Sequence, residues 1–495
     1  MKQIIPLLKT SSLSESELAL AVSLQGLLAQ KGETFLIDCD HYRQFVDSDS
    51  FSVRSVFLRA LIAENKNLIP GYVLFDFSRC DGSLNAANML TSAKGYLAVP
   101  SECESLVSDL LPCVRDLREE DPTTIQETIF DECLPFFRRD GLIHQVERPD
   151  NHKINLRDYG IRNHWAIVYG DESEKGRKFL GHVLSSLKSG IAIYGWTTDE
   201  VSFVEFISRY GDYIVPSDWS SNRAFFASDQ ETTIPFSPHH VDVLPNKHYV
   251  AIEVSDGDNA QWLERDFPFE GYYGKRTESF HNYPLAFTIA PAMTYLAPAA
   301  LRYIYSRVRN ETFASGVSGA GYMNPCAFPA KELPTFVEKT ARMMKEASLT
   351  IVTLLDNKNN MSDATVRRVI NEYAKRPEID GGVWEVDPIC YEGNAGRIYF
   401  SENHKPFVSV RYSLWSPTGD RTTDRTWIDK IAEKINQLPI APKQEKGYSI
   451  VNVHPWSTSN EDIDYLVSKL SDNNQILPLE DFIGLIKKNL GGCQG

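Results

Sequence analysis

Tyr249-Val250-Ala251-Ile252-Glu253-Val254, running on into Ser255-Asp256-Gly257-Asp258-Asn259, reads as an apolar strand that opens onto acidic residues around a glycine. Side chains alternate along a strand, so Glu253 and Ser255 share one face while Ile252 and Val254 share the other. With the apolar pair turned toward covering helices, Glu253 points inward. Further short apolar runs follow at Leu285–Ile289, Phe313–Val317, Thr350–Leu355, Gly382–Val386, Phe407–Tyr412, Tyr448–Val453 and Ile476–Leu477. Helical patterns intervene, as where Leu333, Phe336, Val337, Ala341 and Met344 stand at helix spacing. Eight such units in roughly 250 residues is the size of a β/α barrel. The expected fold is therefore α/β, with a C-terminal (β/α) barrel over 236–495 that is TIM-like or distorted and seven-stranded.

Upstream, Ser14 with Glu17 has the form of a capping box, in which side chains satisfy the free N–H groups of a helix start. Leu20, Leu24, Leu27 and Leu28 then share a face until Lys31-Gly32. Strand-like runs at Thr34–Ile37, Gly71–Phe75, His164–Tyr169 and Ile191–Tyr194 alternate with helical patterns at Lys175–Lys188 and Asp199–Arg209. Two small α/β subdomains, 1–150 and 151–235, are expected before the barrel. The prolines from Pro235 to Pro245, with His239-His240 between them, mark the boundary.

The chain has 495 residues and a formal net charge of −15, so it repels phosphate backbones and anionic lipid. Nucleic acid and membrane are not expected partners; a neutral or cationic substrate fits, and sugars are neutral. Nothing in the residues signals a particular oligomeric state. Cys39, Cys80, Cys103, Cys113, Cys133, Cys326, Cys390 and Cys493 are scattered without a C-x-x-C pair, which suits mostly buried thiols in a reducing compartment. Met1 to Leu8 is too short an apolar run for a signal-peptide core, so the chain as it stands reads as cytoplasmic. A secreted protein relieved of its leader would read the same way.

In β/α barrels the strands' C-terminal ends carry the chemistry. Here the first ends in Asp256 and Asp258, the fourth in Asp356-Asn357, the fifth in Trp384-Glu385-Val386-Asp387, the sixth in Trp415, and the seventh in His454-Pro455-Trp456. Crowded carboxylates raise one another's pKa, leaving a protonated acid beside an ionised base, the division that glycosidic cleavage needs. Asp-Gly-Asp-Asn is also an ordinary turn composition, and any one Trp suits a core. Recurrence at one end of the inferred barrel is what favours a site, with indoles stacking on sugar rings. Between the third and fourth units, Gly316-Val317-Ser318-Gly319-Ala320-Gly321-Tyr322-Met323-Asn324-Pro325 matches neither a dinucleotide fingerprint nor G-x-S-x-G. It reads as a tight loop that brings backbone to a ligand, with Tyr322 offering a ring and a hydroxyl.

Gly319, Gly321, Tyr322 and Pro325 resemble the motif of a family named for G-x-G-Y-x-Y-P and described as "putative glycoside hydrolases"; Asn324 stands where the second tyrosine should be. The resemblance extends through Ser255–Asn259, His454-Pro455-Trp456-Ser457 and Pro478–Phe482, and through Leu24–Leu28 and Gly195–Glu200 in the N-terminal half. It covers most of the chain and implies a fold and a site more firmly than a reaction.

The leading expectation is glycosidic hydrolysis by a carboxylate pair, Asp256 or Asp258 with Glu385 or Asp387. Glu253, Asn259, Gly321, Tyr322, Asn324, Asp356, Trp384, Trp415, His454 and Trp456 would line the substrate, and no cofactor is expected. A rival is a metal-dependent carbohydrate deacetylase with a divalent cation on Asp256, Asp258 and His454. A third is a glycan-binding protein without catalysis.

Overall fold

The computed structural model describes residues 3–11, 13–38, 44–45, 51–147, 154–227, 233–269, 271–278, 281–356, 362–386 and 390–491. The chain divides into two compact units: the first takes 1–206, 212–230 and 295–299, and the second takes 207–211, 231–294 and 300–495.

Three small parallel sheets build the first unit. They are β1 (Gln3–Leu8), β2 (Leu36–Ile37) and β3 (Phe51–Val56) in the order β2-β1-β3; β4 (Tyr72–Phe75), β5 (Leu97–Pro100) and β6 (Cys113–Asp116) in the order β5-β4-β6; and β7 (Gly141–His144), β8 (Ala166–Val168), β9 (Ala192–Gly195) and β10 (Tyr213–Val215) in the order β10-β9-β7-β8. In each sheet the first strand lies between the second and third, so one arrangement is used three times. Parallel neighbours require a crossover, commonly a helix. The one between β1 and β2, Glu15–Gln30, starts with the expected capping box: Ser14 Oγ accepts the Glu17 N–H (3.2 Å), and Glu17 Oε2 accepts the Ser14 N–H (2.8 Å). Its leucines Leu20, Leu24, Leu27 and Leu28 are buried. The N-terminal run that reads as merely apolar is β1, the middle strand of its sheet.

The second unit holds one sheet of β11 (His248–Val254), β12 (Leu285–Ile289), β13 (Glu311–Ser315), β14 (Ile351–Asp356), β15 (Gly381–Val386), β16 (Ile398–Phe400), β17 (Pro406–Ser409), β18 (Tyr412–Leu414), β19 (Tyr448–Val453) and β20 (Asn474–Ile476). Its order is β16-β17-β15-β14-β13-β12-β11-β19-β18, with β20 beside β11, and only β16 runs antiparallel to its neighbour. All eight expected strands form near their predicted positions. Two features depart from a regular barrel: β16 makes a hairpin with β17, and the predicted strand Phe407–Tyr412 is bent into two. Its first half, β17, pairs with β15, and its second half, β18, pairs with β19. Between them the Val410 N–H donates to Trp384 O (3.1 Å) and the Arg411 N–H to Ile450 O (3.0 Å). One stretch of chain thus reaches both sides of the row, and the sheet is curled.

The strands are buried on both faces, which is why they read as continuous apolar runs. On the inner face Tyr249, Ala251, Ala286, Ala314, Ile351, Val383, Val408 and Ile450 pack with Phe482, Ile483 and Ile486 of the helix Leu479–Leu490. Further along the same face toward the strands' C-terminal ends, the residues become polar. Among the described cysteines Cys103 and Cys133 are buried while Cys113 and Cys390 are exposed, which corrects the expectation of mostly buried thiols; Cys39 and Cys493 lie outside the described residues. Among the described residues no helix is long and apolar enough to cross a membrane.

Candidate active site

The polar end of the inner face starts with two glutamates. Glu253 follows Tyr249 and Ala251 on one side of β11, and Glu385 follows Val383 on one side of β15, so alternation delivers both inward. Both are fully buried. Thr353 Oγ1, on β14, donates to Glu253 Oε1 (2.8 Å), and Asn452 Nδ2, on β19, donates to Glu385 Oε1 (2.5 Å). Neither donor is on a strand adjacent to its acceptor's, so these bonds exist only because the sheet curls. The second oxygens, Glu253 Oε2 and Glu385 Oε2, have no hydrogen-bond partner among the described residues. Burial disfavours the charged form, and Glu253 is pushed up from an ordinary 4.5 to about 7, against the Thr353 bond. Glu385 is held well above the ordinary carboxylate value by burial first, then by the charges of Glu253, Asp256 and Asp258, with the Asn452 bond opposing.

Asp256 and Asp258 form the rim above this pair. Asp256 takes a left-handed backbone (φ 67°) and accepts from Ser255 Oγ (2.9 Å) and from the Trp456 indole N–H. Asp258 is 7% exposed. The sequence suggests that Gly257 supplies the turn's unusual dihedral, but Asp256 carries it. Gly257 is instead required for contact: a Cβ there would overlap the Thr288 carbonyl oxygen. Its N–H donates to Thr288 Oγ1 (2.8 Å), which in turn donates to Val254 O (3.1 Å), pinning the loop to β12. Gly316 does the same from β13, since a Cβ there would stand 2.9 Å from the Asp258 backbone nitrogen. Gly257→Ala is therefore expected to cost about 3 kcal/mol in stability through overpacking. Chemical denaturation of the two proteins measures it.

Aromatic rings surround the rim. Trp456 is 48% exposed and tilts against Trp262 (centroids 5.0 Å apart). Trp415 stacks flat on His454 at 3.7 Å and 1°, and Tyr391 meets Trp415 edge-on at 5.3 Å. His454 Nδ1 lies 2.9 Å from Ser457 Oγ; burial lowers its pKa while the charge of Asp256 raises it. Left-handed backbone at non-glycine residues costs about 1–3 kcal/mol each and clusters at functional sites. It occurs at Asp256, at Ser318 (φ 62°) and at Cys390 and Tyr391 (φ 45° and 68°), on the loops after β11, β13 and β15, and also at positions away from these loops such as Leu156, Asn222 and Ser348.

Glu253, Asp256, Asp258, Glu385, His454 and Trp456 are thus linked by hydrogen bonds or electrostatics, with Trp415 against His454. Other expected site residues are placed differently. Trp384 is fully buried on the face of β15 opposite Glu385, 6.4 Å from Tyr399, so it serves packing and not a sugar platform. Asn259 precedes the helix Ala260–Glu264 without a side-chain capping bond, its Nδ2 donating instead to Asp256 O (3.2 Å). Asp356 is buried, and its Oδ2 accepts the Cys326 N–H (3.1 Å). Asn324 is a turn residue, its Oδ1 accepting the Ala327 N–H (3.2 Å) and its own N–H donating to Ser208 Oγ (2.9 Å). Tyr322 is buried and Gly321 half-buried in the same loop. Asp387 and Asn357 lie outside the described residues. Among the described residues no three His, Cys, Asp or Glu side chains are arranged to hold a metal ion, and Asp256, Asp258 and His454 form no such group.

Sequence reasoning missed Thr288, Thr353, Asn452 and Tyr391. For Thr353 and Asn452 the signal was present: each is a polar residue between two apolar strand neighbours, at the parity of the inner face.

The chain is similar to the crystal structure of a "putative hydrolase" from Bacteroides thetaiotaomicron VPI-5482, with a TM-score of 0.85 and 25% identity over 99% of this chain and 95% of that one. No curated protein matches it. Two family models match: the GxGYxYP "putative glycoside hydrolase" C-terminal domain over residues 246–487, which holds every residue of the rim, and the GxGYxYP third domain over 141–228. On these matches the chain belongs to the GxGYxYP family.

Proposed function

We propose that the curled sheet works as a distorted seven-stranded barrel whose C-terminal mouth hydrolyses a glycosidic bond. Glu385 supplies the proton to the leaving oxygen, and Asp258 or Asp256 is the carboxylate that acts from the rim. The observation that carries this reading is the split between the two layers: Glu385 is fully buried, which with the neighbouring carboxylates pushes its pKa well above the ordinary value, while Asp256 at the rim is half-buried and takes two hydrogen bonds as an acceptor. Glycosidases need such a pair of unlike carboxyl groups. Trp456 and Trp415 offer faces to a sugar ring, and the net charge of −15 suits a neutral or cationic substrate. Because Glu385 is not exposed, the rim must part as the sugar enters. The family description and the similarity to a hydrolase support the same class of reaction.

The test is a panel of chromogenic glycosides and acetylated sugars, with and without chelator. Chelator-insensitive release of aglycone is the expected result. Release of acetate alone, lost on chelation, would replace this reading with deacetylation.

A further inference from the structure

We propose that Glu253 is a positioning residue that keeps the acid proton on Glu385. This rests on Glu385 being the proton donor of the reading above. The two carboxyls lie at the polar end of one buried inner face, each with one oxygen held by a single neutral donor, Thr353 or Asn452, and the other with none. Two charges in such a place are not tolerated without a compensating cation, so one carboxyl stays neutral. Which one does so is set by the surroundings. The charged groups acting on Glu385 are Glu253 on β11 and Asp256 and Asp258 on the loop that follows, and all three oppose its ionisation. His454, from the end of β19, faces Asp256. Glu253 releases its proton first, at about 7, and its charge then holds the remaining proton on Glu385. The pair titrates as a unit in which Glu253 is the electrostatic support and Glu385 the donor.

A residue with this role controls where on the pH axis the site works. In Glu253→Gln the basic limb of the pH–rate profile should move down by about one unit. Glu253→Asp should restore most of the wild-type limb. The same shift should show without substrate: melting temperature falls with rising pH while the folded pair keeps protons that the unfolded chain has released, and in Glu253→Gln this fall should be shallower and level off at lower pH. Glu253→Met, an apolar replacement of similar volume, provides the test if the glutamine variant does not fold. A basic limb and a melting profile that both keep their pH dependence, with stability lowered uniformly, would make Glu253 merely structural and overturn the proposal. A shifted melting profile in a protein that cleaves no glycoside would instead leave the proton relation standing and remove the glycosidase reading.

Discussion

Glu385→Gln is expected to lower turnover about a thousandfold, within the ~10²–10⁴ range of general acid–base catalysis, while the protein stays folded. Glutamine keeps the size of the side chain and can still accept the Asn452 bond at 2.5 Å, so the inner layer survives. What it cannot do is release a proton. Stability should move in the opposite direction from activity at high pH. Glu385 has a raised pKa in the folded protein, so its contribution is fully present below the unfolded value and is lost as pH rises through the folded one. The variant lacks that loss. Its melting temperature should therefore exceed that of the wild type on the alkaline side and converge toward it in acid. Steady-state rates and melting curves across pH check both parts; a variant with wild-type turnover would remove Glu385 from the chemistry.

Asp258→Asn is the second large effect, again about a thousandfold in turnover if Asp258 is the rim carboxylate. The substitution is isosteric, and the contact with Gly316 that fixes this residue involves its backbone and Cβ, not its carboxylate. Folding should be unaffected. Asp258 is also among the charges that oppose ionisation of Glu385, so the residual activity should lose its basic limb at lower pH than the wild type. Asp256→Asn separates the two candidates. If Asp256 is the acting carboxylate the loss falls there, and one oxygen is left to accept from both Ser255 Oγ and the Trp456 N–H.

Much of this site was legible in the sequence because parallel strands are buried on both faces and end where chemistry is carried. Tyr448–Val453 and Leu285–Ile289 stand out as mainly apolar runs and form strands with those bounds. The inward turn of Glu253 follows from alternation alone. Trp384 fails for the same reason that Glu385 succeeds: adjacent residues on a strand face opposite ways, and composition at a strand end does not say which of the two lies inside. The hydrogen bonds from Thr353 to Glu253 and from Asn452 to Glu385 join residues 100 and 67 positions apart, so they depend on curling that no local pattern encodes. The bend at Val410 and Arg411 was hidden because both halves of 406–414 have strand character and only the pairing partner changes. In the first unit, β1 was obscured by Pro6, which argues against a middle strand. It is nonetheless paired on both sides, to β2 at Leu7 and Leu8 and to β3 along its length.

The Asp256 turn shows how local and tertiary demands divide. Asp-Gly-Asp-Asn suggests that glycine supplies a left-handed turn, yet Asp256 adopts it, and Gly257 is there because Thr288 leaves no room for a side chain. Aspartate tolerates that conformation better than most residues. The consequence is functional, since the turn sets the Asp256 carboxylate between Ser255 and Trp456.

The central claim is that a protonated Glu385 lies beneath the rim carboxylates at neutral pH. Infrared difference spectroscopy of the protonated-carboxyl band reports this directly and needs no knowledge of the substrate. The band should persist in the wild type at pH values above the titration of Glu253, lose that persistent component in Glu385→Gln, and keep it in Asp256→Asn. A band unaffected by Glu385→Gln, or none at all in the wild type, would contradict it.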